Sequence, residues 1–513
     1  MNYAHYGFNE QRLEKRERLL AEGETPFPYS YTRTQRVEEI VAAVDEAETA
    51  GGPIDMQVRT SGRLWARREM GRARFFDLRD GDAKIQLYCT LRNFSEQAWE
   101  HLSLLDAGDI VGVEGPVFRT RTGELSINAA ELTVLAKAVV PVPIGKEAGE
   151  RVYYRGADPE IRYRERYLHW LLDRGDRERV YQRGRIVSSL RRRLEEEDFL
   201  EVSTPTITPV YGGAEARPFV TSVWALGRRE AYLRISPELH LKRYIVAGFE
   251  RVYTICQNFR NEGMDASHNP EFTMLEWYEA LTDYTFQMER FERLVAAVCE
   301  EACGSTRVTY QGIELDFAPP WRRLTMLEAL RDYAGVDAAT LAAEDLRAEL
   351  ERREVECAED MTWGRAVAAL FEATCEQHLV QPTFVLDHPL EISPLARVHR
   401  GNGRLAERFE VFVCGMELGN AYSELADPVE QLQRFVAQHS ARRTDGDWID
   451  HPLDADFVKA VGCGMPPTGG VGLGVDRLVM LLTDAASIRD VIGFPMVKAR
   501  DPGMGEGDLL ETE

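Results

Sequence analysis

Two stretches far apart in the chain carry the groups needed to hold the two ends of one nucleotide. The first is Phe259-Arg260-Asn261-Glu262, followed within a dozen residues by His268-Asn269-Pro270-Glu271-Phe272. The second is Gly470-Val471-Gly472-Leu473-Gly474-Val475-Asp476-Arg477. An arginine, a carboxylate, a histidine and an aromatic ring can hold a phosphate, the adenine edge, a second phosphate and the face of the base. The glycines let backbone pack closely around a ligand, and Arg477 supplies a second phosphate clamp. Neither stretch is a Walker loop or a dinucleotide fingerprint, since no G-x-x-x-x-G-K-[ST] occurs. The chemistry narrows to nucleotidyl activation.

The elements that position these groups fall into three parts and a tail. Residues 1–55 are rich in Glu, Arg, Leu and Ala, with a Pro26-Phe27-Pro28 break between two helical patterns, and read as solvated surface helices. Residues 56–140 carry short strand patterns such as Ile85-Gln86-Leu87-Tyr88-Cys89 and Ile110-Val111-Gly112-Val113, punctuated by Asp80-Gly81 and Thr122-Gly123. Five or so such strands suit a small closed barrel of the oligonucleotide-binding type. Six arginines between Arg59 and Arg74 stand against one acid, Glu69, and Phe75 and Phe76 follow directly. Guanidinium groups beside rings are what single-stranded bases require. Charge defending a strand edge is the competing explanation, but a local reversal of sign in an acidic chain favours nucleic acid.

From residue 155 to 500 helices and strands mix around one large core. Helices are expected over Arg162–Leu172 and Arg179–Glu197. Strands are expected at Phe199–Val202, Phe219–Thr221, Tyr232–Ile235, Val252–Ile255, Phe272–Tyr278, Thr383–Leu386 and Phe409–Gly415. Hairpin-length links imply an antiparallel sheet flanked by helices, so the fold class is α+β, and no βαβ rhythm supports a doubly wound fold. The tail, residues 501–513, holds five acids and no base and reads as disordered.

Composition sets the outer limits. A chain of 513 residues suggests two to four domains. The 44% hydrophobic content is that of a globular protein. The balance of 62 Lys+Arg against 85 Asp+Glu leaves a net charge of -23, which argues against gripping nucleic acid over the whole surface while permitting a local basic patch. The eight cysteines form no CxxC pair and no zinc spacing with histidine, so neither a structural metal nor a disulfide frame is expected. Cys299 and Cys303, one helical turn apart, read as packing residues. No stretch has the character of a signal peptide or a membrane span, so a soluble cytoplasmic protein with no membrane or DNA partner is expected.

Phe199 to Pro205, the Arg260/Glu262/His268/Phe272 stretch and Gly470 to Arg477 resemble the three signature motifs of class II aminoacyl-tRNA synthetases. Further spans narrow this to the class II lysyl-tRNA synthetases: Arg217-Pro218-Phe219, Pro237-Glu238-Leu239-His240-Leu241-Lys242-Arg243, Asn269 to Glu276, Ser393-Pro394-Leu395-Ala396 and Ile488-Arg489-Asp490-Val491. The resemblance runs from the leading helix to Pro495. It implies that lysine is activated by ATP to lysyl-adenylate and pyrophosphate, and then passed to the terminal ribose of its tRNA. Arg260 would hold the α-phosphate, Arg477 the γ-phosphate and His268 the outer phosphates. Glu262 would accept from the adenine amino group, with Phe272 stacked on the base and Arg477 covering its other face. Glu410 and Glu417 match the family's magnesium carboxylates, and Glu410 also belongs to its ATP site. Seven apart on a single strand they would point to opposite faces, so a bulge or turn must lie between them if they share ions.

For the amino acid, the resemblance implies a cage for the ε-ammonium made of Glu276, Tyr278 and Glu424. Residues 276 and 278, two apart on one strand, face the same way. Glu238 would receive the α-ammonium, beside Gly213, and Asn420 would line the same pocket. In the barrel, Arg67, Arg68, Phe75 and Gln86 fall where the family reads the anticodon of tRNA(Lys), ring on base and polar groups on base edge. The first motif implies a homodimer.

Three departures stand out. Ser267 replaces a usual arginine, Trp224 sits in a loop that is often polar in relatives, and the tail runs past the usual end. Two alternatives stay open: an aspartyl or asparaginyl relative, which would want a cationic or amide partner where Glu276 and Glu424 stand, and an idle RNA-binding paralogue.

Overall fold

The computed structural model describes residues 3–144, 146–148, 151–153, 159–214, 216–442 and 453–497. The expected acidic tail, residues 501–513, lies outside them. The described chain forms two compact units, Met1–Gly175 and Asp176–Glu513.

In the first unit, helices α1 (Glu10–Ala21) and α2 (Val37–Thr49) precede six strands. Asn9 caps α1 by accepting the Arg12 N–H. Strands β1 (Gln57–Met70), β2 (Ala73–Asp80), β3 (Ala83–Thr90), β4 (Ile110–Arg119), β5 (Leu125–Asn128) and β6 (Glu131–Ala136) lie in the order β1-β2-β3-β5-β4-β6, and β4 pairs back with β1 to close the sheet. Gly81 (φ 62°) makes the β2–β3 turn at the expected Asp80-Gly81 site. Alternate residues Phe76, Leu78, Ile85 and Leu87 point inward and are buried. The helices are not solvated all round as expected. Leu19, Val37, Ile40 and Val44 join the barrel's core, because an amphipathic helix buries its apolar stripe where a sheet face is available.

The second unit is built on an eight-stranded sheet. Helix α3 (Arg174–Glu196) leads into strand β7 (Leu200–Glu201), and helix α4 (Glu238–Val246) precedes strands β8 (Arg251–Phe259) and β9 (Glu271–Ala280). Helix α5 (Tyr284–Cys303) follows, then β10 (Arg322–Thr325), β11 (Thr383–Leu386), β12 (Arg408–Val413), β13 (Met416–Ser423), β14 (Thr468–Gly474) and helix α6 (Val475–Leu482). The order is β10-β11-β12-β13-β14-β9-β8-β7, antiparallel except for the outermost pair at each end. A separate three-stranded sheet, Ile207–Thr208, Val220–Val223 and Arg229–Leu233, carries Trp224 on its hairpin, 74% exposed with the Arg228 guanidinium 4.1 Å from its ring centroid. The expected helix 162–172 is two short ones, Pro159–Arg164 and Arg166–Leu172.

One face of the large sheet packs on α5 and α6. Asp283 caps α5 by accepting from Thr285 and Phe286, and Gly304 ends it in the left-handed region (φ 76°). Between these caps Met288, Phe291, Val295, Val298 and Cys299 fall on one buried stripe. Cys303 is exposed at the helix end rather than packed. Phe291 sits at the centre of this core against Trp277, Trp321, Phe384 and Phe409, and its ring closes on Gly419, where a Cβ would lie 2.6 Å away. Phe291→Ala is expected to destabilise the protein by about 3–5 kcal/mol through lost burial and the cavity it leaves. A thermal midpoint within a degree of the parent's would contradict this placement of the core.

Candidate active site

The other face of the sheet holds the chemistry, and strand register explains why. On β9, Leu275 and Trp277 enter the core, so Met274, Glu276 and Tyr278 must face away from it. Glu276 lies opposite Thr254 of β8 and Gly472 of β14; Gly472 lies opposite Asn420 of β13; Asn420 lies opposite Glu410 of β12. The next row reads Val252, Tyr278, Gly470, Tyr422 and Arg408. Side chains thus flank a central strand that presents glycine, and the missing side chains are the floor of a cavity of about 500 Å³.

Gly213, Glu238, Glu276, Tyr278, Asn420, Arg260, Glu410 and Glu417 all line that cavity. Glu424 stands just behind its floor. Its Oε1 would meet a Cβ on Gly470 at 2.0 Å, and both its oxygens are buried. Gly213 (φ 89°) passes so close that a Cβ would lie 3.2 Å from that of Glu238. The Ser236 hydroxyl donates to Glu276 Oε1 (3.0 Å) and the Tyr278 hydroxyl approaches Oε2 (3.4 Å). Burial, and then the charge of Glu238, push the Glu276 carboxyl up to about 8.

A smaller hollow of about 180 Å³ adjoins the first and shares Arg260, Met274, Glu417, Asn420 and Gly472 with it. Glu262, His268, Phe272 and Arg477 line it, so both nucleotide stretches meet here. The Arg260 guanidinium lies 5.2 Å from the Phe272 ring centroid, and its Nε is buried with no protein acceptor. Arg477 Nη2 is 3.2 Å from His268 Nε2, and the other ring nitrogen faces Asp265 Oδ2 at 2.8 Å. Burial acts upward on Asp265, but the bonds from the Ser267 amide and His268 outweigh it and bring the carboxyl to about 2. Ser267, the departure from arginine, spends its hydroxyl on Asp265 (3.0 Å).

Glu410 and Glu417 lie on two strands of one hairpin, turned by Cys414 (φ 51°) and Gly415 (φ 71°), with a register shift at Val411/Phe412. The turn and the bulge that their spacing demands are both present. Glu376 stands near them, its carboxyl raised to about 7 by burial and by Glu372, Glu410 and Glu417. Among the described residues no group of three or more His, Cys, Asp or Glu could hold a metal ion by itself.

Several residues at the site were not singled out from the sequence. Arg408 spans Glu410 Oε1 (2.6 Å), Asn420 Oδ1 (3.0 Å) and Ser393 Oγ (3.1 Å). The Tyr422 hydroxyl donates to Glu238 Oε2 (2.6 Å). Lys242, fully buried, donates from Nζ to Glu238 Oε1 (2.6 Å) and contacts Glu424 Oε2. Its spacing, four residues after Glu238 on a helix, was the available signal.

In the barrel, register splits the four expected base-reading residues. Arg68 lies opposite Phe75, and Asp77 opposite Gln86, so Arg68, Phe75 and Gln86 share one face. Arg67 pairs with the core residue Phe76 and turns to the other face, where it donates to the Ser103 and Leu105 carbonyls (both 2.9 Å). Adjacent residues on a strand cannot face the same ligand. Gln86 is buried, accepting from Ser126 Oγ at 3.1 Å.

This division into barrel and synthetase-like sheet recurs in the comparisons with known proteins. Residues 158–498 match the family of class II tRNA synthetases (D, K and N), and residues 58–135 match the OB-fold nucleic acid binding domain of the anticodon-binding type. The chain belongs to the class II tRNA synthetases of the D, K and N group. It is 44% identical to a lysine–tRNA ligase of Clostridium novyi, over 95% of this chain and 94% of the relative. It is 44% identical to a lysine–tRNA ligase of Methanoculleus marisnigri, over 99% and 98%, and 46% identical to one of Moorella thermoacetica, over 96% and 97%.

Because Gly470 is the floor between Tyr278 and Glu424, Gly470→Ala is expected to cut amino-acid-dependent exchange of pyrophosphate into ATP at least about tenfold. The nucleotide hollow does not include Gly470, so ATP affinity should hold. Unchanged exchange would show that the floor is not where the amino acid lies.

Proposed function

We propose that the chain is a lysine–tRNA ligase, forming lysyl-adenylate from lysine and ATP and then esterifying tRNA(Lys). The observation that carries this reading is three buried carboxylates, Glu238 and Glu276 lining one cavity and Glu424 just behind its floor, with a single buried ammonium, Lys242, between Glu238 and Glu424. Such a cavity favours a ligand that brings further cationic groups. Lysine brings two. An aspartyl or asparaginyl enzyme would need a cation beside Glu276 and Glu424; Arg408 is engaged by Glu410 and Asn420, and Arg260 is shared with the nucleotide hollow. The complete nucleotide hollow speaks against an idle paralogue.

The lysine carboxylate is ionised at neutral pH and needs no base to attack the α-phosphorus. What the protein supplies is alignment and charge neutralisation. Glu238 takes the α-ammonium, with Gly213 beside it, while Glu276, Tyr278 and Glu424 take the ε-ammonium and Asn420 walls the pocket. Arg260 faces both hollows and neutralises the α-phosphate as pyrophosphate leaves. Glu262 accepts from the adenine amino group, Phe272 stacks beneath the base, and Arg477 with His268 holds the outer phosphates. Glu410 and Glu417 fit Mg2+, which takes few carboxylates and completes its shell with water and phosphate oxygens. The ion would offset phosphate charge during the displacement. In the second step a ribose hydroxyl of the tRNA end attacks the adenylate carbonyl and AMP leaves. On the barrel, Arg68, Phe75 and Gln86 form the face for the unpaired anticodon, with Arg67 positioning the strand from behind.

Lysine alone among the amino acids should support pyrophosphate exchange and tRNA charging; stimulation by aspartate instead would sink the assignment. The pH dependence has a definite sign. Glu276 is neutral in the empty cavity below about 8, and an ammonium binds better to its ionised form. The KM for lysine should therefore fall as pH rises toward 8, by up to about tenfold per pH unit. Glu276→Gln should raise KM and flatten that limb. A flat profile in the parent protein would rule out Glu276 as a substrate contact.

The first-motif strand β7 lies at the edge of the sheet with Leu200 48% exposed, and Phe249 is 44% exposed. An open edge with exposed apolar side chains favours a partner copy. A homodimer of twice 58.3 kDa is expected in sedimentation equilibrium; a concentration-independent monomer would refute it.

A further inference from the structure

We propose that Lys242 is the residue that sets which length of diamino acid the cavity accepts. The inference rests on the lysine reading of this cavity. Its buried ammonium ties together Glu238 and Glu424, the two carboxylates that receive opposite ends of the substrate, and so fixes the separation between them.

The geometry is specific. Glu238 opens helix α4, while Glu424 follows strand β13, so nothing in local secondary structure holds one against the other. Lys242 supplies that link, with Nζ 2.6 Å from Glu238 Oε1 and in direct contact with Glu424 Oε2. The ammonium is enclosed by the rings of Tyr422 and Phe457, 5.5 and 5.9 Å from their centroids. Tyr422 binds the other oxygen of Glu238. Burial acts to lower the Lys242 ammonium's affinity for its proton, but the two carboxylates outweigh it and raise it.

Two consequences follow for the substrate. Glu238 and Glu424 share one fixed ammonium while Glu276 keeps its proton in the empty cavity, and a diamino acid entering as its cation brings two further ammonium groups to these three carboxyl groups. The fixed ammonium also prevents Glu238 and Glu424 from repelling each other apart. With a neutral side chain at position 242, the two would lose their common anchor, and a substrate one methylene shorter could be met nearly as well. Discrimination of a single methylene in an apolar pocket is worth only about 10–200-fold. A site that relies on two charged ends spaced by a rigid tie gains selectivity from the spacing itself.

The test uses the full chain and pyrophosphate exchange with lysine and with ornithine, which is one methylene shorter. In Lys242→Met, the KM for lysine should rise at least about tenfold, the KM for ATP should be unchanged, and the lysine-to-ornithine ratio of kcat/KM should fall at least about tenfold. A purely structural ion pair would lower activity toward both amino acids alike and leave their ratio intact. A folded Lys242→Met protein, judged by ATP binding, whose ratio stays within about twofold of the parent's overturns the proposal. Tyr422→Phe loosens the same tie without removing a buried charge and should lower the ratio several-fold. If Lys242→Met does not fold, an unchanged ratio in Tyr422→Phe overturns the proposal. Glu276→Gln separates the two readings. If it raises the KM for lysine while Lys242→Met keeps the ratio, only the role of Lys242 falls. If it leaves the KM unaltered, the lysine cavity itself is wrong.

Discussion

Negative charge buried without enough cation is the constraint around which the second unit is organised. Glu238, Glu276 and Glu424 are each less than 5% exposed, and Lys242 is the single ammonium buried with them. An ionised carboxylate out of water is costly unless a cation meets it, and a pair of them repel as well. The protein tolerates this imbalance by hydrogen bonds from Ser236, Tyr278 and Tyr422, and by letting Glu276 hold its proton in the empty state. A ligand with cationic ends relieves the imbalance, so binding and charge neutralisation are one event. Neutral analogues of the same shape would have to leave the carboxylates unmatched, which is a stronger ground for rejection than fit.

The sheet makes this arrangement possible because its two faces do opposite things. One is continuous hydrocarbon, from Trp277 through Phe291 to Phe384 and Phe409. The other alternates with it residue by residue along β9, β13 and β14, so packing the apolar face fixes where every polar side chain of the other face stands. Slipping β9 by one residue would send Glu276 into the aromatic core. The strand residues of the site thus take their placement from the core, while Gly213, Arg260, Glu262 and His268 reach it from loops.

Much of this was legible in the chain. The alternation over residues 272–278, the strand at 383–386 and the need for a turn between Glu410 and Glu417 all appear in the structure. Strands β13 and β14 were not legible as strands. Their glycines and asparagine disfavour an extended segment in isolation, and only the neighbouring strands supply the hydrogen bonds that hold them. Two adjacent arginines look alike in sequence, and only the register shows that Arg67 and Arg68 lie on opposite faces of their strand. The tie from Lys242 to Glu424 joins residues with no local relation, and no spacing rule reports such a contact.

The two hollows share lining residues, and on the proposed function this shared edge is where the two substrates meet. Arg260 lies at the end of β8 with its backbone N–H bound to the Pro270 carbonyl, so the guanidinium is anchored from below while its Nε stays unmet by protein. Met274, Gly472 and Asn420 also belong to both hollows. On the proposed roles, an amino acid held at its ammonium ends by Glu238 and Glu276 would turn its carboxylate toward Arg260. A nucleotide with its base on Phe272 and its outer phosphates at Arg477 would present its α-phosphate toward the same arginine. Neither substrate needs to be activated by a protein base; each is placed by charges at its far ends, and the sheet sets the distance between them. Glu276, proposed to select the amino acid, and Glu410, proposed to serve the displacement, stand in the same row across the sheet.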